Sequence, residues 1–224
     1  DADLSLFTKR LDAYTLTVAY KTADGREWSL DGTVDFGRVL YWDVDDLADW
    51  RNLMQNGHAQ TGENFRISGK IDFANNAQNA KENGLKLGRL EGVGEDAGFY
   101  NLVYTADATT GTPWIESVYV NISGLTFDTM RVDFSNTTAS RGVTGAIVSI
   151  NTLQDCSFKN IELTGNANTD DRFGFFGQID GLVQNISFNY VKLQVLNGSG
   201  GQYVGALAGV TLEGLQEVTA GNIT

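Results

Sequence analysis

From residue 122 onward, apolar and polar positions alternate in a pattern that returns about every 30 residues. LQDCSFKNIELTG (153–165) and VQNISFNYVKLQV (183–195) superimpose apolar on apolar almost throughout. ISGLTFDTMRVDF (122–134) follows the same template, and LEGLQEVTAGNIT (212–224) follows it less closely. Their first residues, Ile122, Leu153, Val183 and Leu212, lie 31, 30 and 29 residues apart. Inside the copies the apolar set is Leu125, Phe127 and Val132, then Cys156, Phe158, Ile161 and Leu163, then Ile186, Phe188, Val191 and Leu193. Period two marks strands with one buried face.

Between the copies the chain returns through TGAIVSIN (144–151), FGFFGQIDG (173–181) and YVGALAGVT (203–211), with Gly145, Gly174, Gly177, Gly205 and Gly209 among the apolar residues. Glycine lets a coil turn sharply and lets neighbouring coils approach. One such coil cannot bury its inner face alone, so successive coils must stack. The pattern therefore predicts an all-β fold, a right-handed parallel β-helix with Gly/Asn/Asp corners and repeat coils over about residues 115–224. Its register puts Phe127, Phe158 and Phe188 in one interior column and makes Cys156 a small buried hydrophobe. Helical repeats of similar length need better helix formers than these Val/Ile/Phe/Thr/Asn/Gly segments.

Upstream the pattern changes. YTLTVAYKTADGREWSLDGTVDFG alternates around Asp24-Gly25, a pair suited to a tight hairpin turn, so residues 1–40 read as a β-hairpin or the remnant of a preceding β module. Residues 41–224 read as the solenoid, opened by a capping helix over 45–55 with Asp45 or Asp43 as N-cap and Leu47, Trp50 and Met54 as its apolar stripe. Such a helix would cover the open core and unpaired edges at the solenoid's first coil. Residues 74–114, rich in Asn, Gly, Asp and Thr, read as a long polar insertion, either the place for a specific contact or a disordered or merely tolerated surface excursion. LEGLQEVTAGNIT stops as its coil should turn, so the chain reads as a segment of a longer stalk.

Charge narrows the partners. The formal net charge is −12, and Lys and Arg number eleven in residues 1–112 against five in 113–224. That field argues against nucleic acid and anionic lipid. No stretch approaches the ~20 apolar residues of a membrane span, so no membrane insertion is expected of this segment. DADLSLFTKR contains no signal-peptide core. With Cys156 the only cysteine, no intrachain disulfide or cysteine-based zinc cluster can form. His58, the only histidine, lies in NGHAQTG, which reads as a flexible loop and a poor setting for catalysis.

GFFGQIDGLVQNISFNYVKL followed by GQYVGALAGV resembles the coils of bacterial surface proteins carrying GLUG repeats. The likeness extends over most of residues 41–224. DVDDLADWRNLMQNG and ENFRISGKIDF are similar to the helix and strand preceding such repeats, with Phe65, Ile67, Ile71, Asp72 and Phe73 at matching positions. Ala206 and Ala208 depart from the Gly and Val expected there. The resemblance implies an adhesin-like β-solenoid at the cell surface and no catalytic residues.

Three acidic groups invite a test for glycoside cleavage, which needs two nearby carboxyls. They are Asp43, Asp45, Asp46 and Asp49; Glu91, Glu95 and Asp96; and Asp170 and Asp171 beside Arg172. The first belongs to a helix start and the others to turns, where calcium binding is a further possibility. Among the aromatics Trp28, Tyr41, Trp42, Trp114, Tyr119, Tyr190 and Tyr203, the candidates for stacking on sugar rings are Trp42, Trp114, Tyr119 and Tyr203, with packing as the competing reading. Asn-X-Ser/Thr triplets at Asn121, Asn136, Asn185, Asn197 and Asn222 read as corner residues.

The sequence thus points to a non-catalytic, secreted or cell-surface stalk or adhesive module of a larger bacterial protein. It needs no cofactor or metal, and its partner would be a host or environmental glycan or a protein receptor. The alternatives are a polysaccharide-processing enzyme of the β-helix type and a glycan-binding module using surface aromatics.

Overall fold

The computed structural model describes residues 14–21, 23–34, 41–58, 62–77, 82–117, 120–138, 143–166, 172–196, 203–211 and 215–223, the last of these and the hairpin strands at the level of the backbone. Strands β1 (Tyr14–Lys21) and β2 (Glu27–Val34) pair antiparallel from Tyr14↔Val34 to Lys21↔Glu27. The predicted hairpin turns at Asp24-Gly25, where Gly25 takes φ 85°, and it forms a two-stranded sheet of its own.

Every other strand joins one 14-stranded sheet whose pairings are all parallel. It winds as a β-solenoid of about four turns. Strand β3 (Tyr41–Val44) leads into the single helix α1 (Leu47–Gln55), followed by β4 (Glu63–Ile67) and β5 (Lys70–Asp72). The next coil holds β6 (Leu87–Gly92), β7 (Gly98–Tyr100) and β8 (Val103–Thr105), and the one after it β9 (Val120–Ser123) and β10 (Thr126–Asp133). Strand β11 (Val143–Asn166) then runs round several sides of its coil as one bent ribbon. Strands β12 (Arg172–Ile179), β13 (Val183–Leu196), β14 (Tyr203–Val204), β15 (Ala208–Thr211) and β16 (Leu215–Ile223) complete the winding.

Inner side chains stack in columns. One runs Trp42, Phe65, Leu90, Ile122, Leu153 and Val183 through successive coils. Another runs Ile71, Phe99, Phe127, Phe158 and Phe188. Phe127, Phe158 and Phe188 are buried in the register expected from the repeat, as is Cys156. Parallel in-register pairing makes this stacking automatic: the same inward position recurs one strand spacing along the axis, so like side chains meet face to face.

The repeat begins much earlier than residue 115. Residues 74–114 are not an insertion, because β6, β7 and β8 within them pair in register with β4, β5, β9 and β10. Leu85, Leu87, Leu90, Ala97, Phe99, Leu102 and Tyr104 are buried there. Their strands are only a few residues long, so the inward residues stand singly among Gly, Asn and Asp and leave no long alternating run.

Helix α1 begins at Asp46 rather than Asp43 or Asp45, since the Asp46 carboxylate accepts the Asp49 amide at 2.9 Å. Trp50 and Met54 are buried as expected, Leu53 joins them, and Leu47 is half-buried. Trp50 is fully enclosed, with ring centroids 5.0 Å from Phe99, 6.1 Å from Phe65 and 6.1 Å from Trp114. In the path from β5 to β7 and β10, β5 is the outermost strand. The helix precedes that strand in the chain and drops its indole across the rings of the first coils, filling the bore where it would otherwise meet water.

On the return strands, glycine permits close approach. A Cβ on Gly145 would lie 2.5 Å from the Gly174 carbonyl oxygen, and one on Gly174 would lie 2.7 Å from that of Gly205.

Candidate functional site

Two lines of corner residues run along the solenoid, and both hold left-handed backbone. Asn101 (φ 55°), Thr129 (φ 53°), Asn160 (φ 53°) and Tyr190 (φ 59°) occupy one register position in successive coils. Gly124 (φ 67°), Asp155 (φ 54°) and Asn185 (φ 52°) occupy another. Asn and Asp tolerate this conformation because their short polar side chains bond locally. Here they also tie coils together: Asn101 donates to Asp72 at 2.9 Å, Asn160 to Asp128 at 3.0 Å and Asn185 to Asp155 at 2.7 Å.

Tyr190 breaks the first line. A bulky aromatic in left-handed backbone is an outlier, with a cost of about 1–3 kcal/mol. Its ring is not compensated by full burial, for 47% of the residue is exposed. Beside it lies a trough of about 150 Å³ that Thr129, Asn160, Asn75 and Val103 help to line. Arg131 and Glu162, whose side chains pair at 3.0 Å, line it as well. In the outward register Arg131, Glu162 and Lys192 follow one another, so unlike charges are neighbours along the axis. The lining residues run from Asn75, just after β5, to Tyr190 in β13, a rise of roughly 19 Å over four coil spacings at ~4.8 Å each.

The trough offers an aromatic face, amides, a hydroxyl and one cation–carboxylate pair on rigid strands. These are the groups that recognise a polyhydroxylated ring: the aromatic covers its apolar face, and the polar groups take its hydroxyls.

The aromatics singled out from the sequence fare differently. Trp114 is a correction: it is 1% exposed and packs on Trp50, Phe73 and Phe99, so it fills the wide first coils and offers no face to a ligand. Trp42 is half-buried, its indole N–H donates to Glu63 at 2.5 Å, and His58 lies against it with ring centroids 4.2 Å apart. His58, in the turn after α1, also bonds Glu63 at 3.2 Å. Tyr203 is 63% exposed and lies outside the trough, and Tyr119 falls outside the described residues. Tyr41 is covered by the Arg66 guanidinium 4.5 Å from its ring centre and accepts from Arg89 at 3.3 Å; burial, then Glu91, raises its phenol above the ordinary value.

The acidic groups disperse into structural roles. Asp43 faces Arg66 at 3.8 Å, and burial raises its carboxyl while Arg66 opposes the shift. Asp45 accepts from Ser68, Asp46 caps the helix, and Asp49 accepts the Asp45 amide. Glu91 lies beside Tyr41 and Asp96 pairs with Lys70 at 3.3 Å, while Glu95 is exposed. Asp170 and Asp171 lie outside the described residues; Arg172 donates to Gln178 at 2.6 Å, and Gln178 in turn to Asp180. Among the described residues no three His, Cys, Asp or Glu side chains come together as a metal site. Among them, too, no helix is long and apolar enough to cross a membrane. Asn185 is a corner residue as read, whereas Asn121 lies within β9 and accepts from both Asn151 and Thr152.

Of the trough residues, Tyr190 was among the aromatics weighed from the sequence but not among the four stacking candidates, and Asn75 and Val103 lie in the polar stretch 74–114. The others were available from the repeat itself, because laying TFDTMRVDF, SFKNIELTG and SFNYVKLQV in register aligns Thr129 with Asn160 and Tyr190, and Arg131 with Glu162 and Lys192. No protein-family description, curated protein or solved structure matches the chain.

Proposed function

We propose that the chain is a non-catalytic adhesive module, a stiff segment of a larger bacterial cell-surface protein that presents its outer faces to a glycan or protein receptor. The observation that carries this reading is the unbroken aromatic column from Phe99 to Phe188, which locks successive coils into one rod. Rigidity along an axis suits a stalk, and repetition of outer positions suits multivalent surface recognition. The outward ladders support a binding role over a hydrolytic one. Asp43, Arg66 and Glu91 alternate in sign along one ladder, and Arg131, Glu162 and Lys192 along another. Each acid therefore has a cation as its axial neighbour, whereas glycoside cleavage needs two carboxyls facing one bond. The likeness of residues 41–224 to GLUG-repeat coils supports a location outside the cell.

Beads coated with the protein should adhere to glycan-coated or receptor-coated surfaces, with no reducing sugar released in the same wells. Sugar release would replace this reading with an enzyme. Failure to adhere to any surface would remove the adhesive role.

A further inference from the structure

We infer that the Tyr190 trough is a binding site for one linear, equatorially linked glycan lying parallel to the solenoid axis. The inference rests on the adhesive reading for its biological setting, but its geometry stands separately. The outward positions at this corner repeat coil by coil, from Asn75 after β5 to Tyr190 in β13, so the site is a straight track. An extended β-linked sugar chain is a ribbon whose units advance by nearly the spacing of parallel strands, so successive units can meet groups from successive coils. A compact or branched ligand meets one coil only.

Tyr190 supplies the anchor. In the preceding coils the same register position holds Asn101, Thr129 and Asn160, which suit left-handed backbone or bond within the corner. A Tyr held there with nearly half its surface in water gains little for the fold. A tyrosine has only two side-chain torsions to order, so it loses little entropy on stacking against a pyranose. Below it the Asn160 amide and the Arg131–Glu162 pair present donors and an acceptor to ring hydroxyls.

The test is calorimetric titration of the whole chain with cello-oligosaccharides and chito-oligosaccharides from dimer to hexamer, with a branched glucan oligomer alongside. Affinity for at least one linear series should rise with length and level off at about four sugars, the number of coil steps in the track. Tyr190→Asn, which suits the backbone and keeps the fold, should weaken binding at least ten-fold, while Tyr190→Phe should stay within about three-fold of the parent. Glu162→Gln should weaken binding without altering the melting curve.

In the titrations, the site would be overturned by no binding of any linear probe, by equal binding of the branched oligomer, or by loss of binding on Tyr203→Ala instead of Tyr190→Asn. Adhesive beads that keep adhering with Tyr190→Asn would sink the site and leave the adhesive role standing. Oligosaccharide binding by a protein whose beads do not adhere would do the reverse.

Discussion

Phe127 and Phe158, 31 residues apart in the chain, lie ring on ring with centroids 5.0 Å apart and planes 3° from parallel. Phe188 continues the stack 4.9 Å beyond Phe158, and Phe175 meets both Phe127 and Phe158 edge-on. Phe158 is thus held on every side. Phe158→Ala should cost about 3–5 kcal/mol, and Phe158→Leu distinctly less. Chemical denaturation measures both, and a loss under ~1 kcal/mol for the alanine variant would show that the column does not bear on stability.

Helix α1 plugs the bore through Trp50, whose side chain touches three aromatic rings. Trp50→Ala should cost about 3–5 kcal/mol. Removing residues 45–55 should also expose the first coil and promote association. Light scattering decides this, and a truncated protein that stays monomeric with unchanged stability contradicts the plug.

Gly174 stands where two return strands nearly touch, and a methyl there meets backbone that cannot rotate away. Gly174→Ala should lower the melting temperature markedly and Gly25→Ala only modestly. Around Gly25 there is open space, and the strain comes from its positive φ alone. Equal effects in thermal melts would mean that the coil spacing absorbs the methyl.

Tyr190→Asn relieves a conformation that Tyr adopts rarely and Asn readily, so it should raise stability by up to about 1 kcal/mol. A decrease of more than that amount in denaturant titration would show that ring packing outweighs the strain.

Cys156 titrates against its burial. Desolvation pushes the thiol up to about 12 from 9.0, so the fold favours the protonated form. The associated stability is fully present below the unfolded value and is lost as pH rises toward the folded one. At pH 8 a thiol reagent should leave the native protein unmodified and react fully in denaturant; rapid native modification would place Cys156 at the surface.

The sequence by itself determined the coil register. Where strands are long, as in 153–165 and 183–195, inward residues recur often enough to show the period, and in-register stacking of Phe127, Phe158 and Phe188 follows from strand geometry. The hairpin at Asp24-Gly25 and the helix carrying Trp50 were legible for the same reason, since turn chemistry and helical spacing are local. Only the tertiary structure recovered the coil within residues 74–114, because strands of three residues such as β7 and β8 carry too few positions for a period. It alone separated buried Trp114 from exposed Tyr190, since inward or outward direction depends on where each corner bends. And it alone showed the trough: the repeat aligns Thr129 with Asn160 and Tyr190, and Arg131 with Glu162, but the hollow beside them depends on how each corner bends.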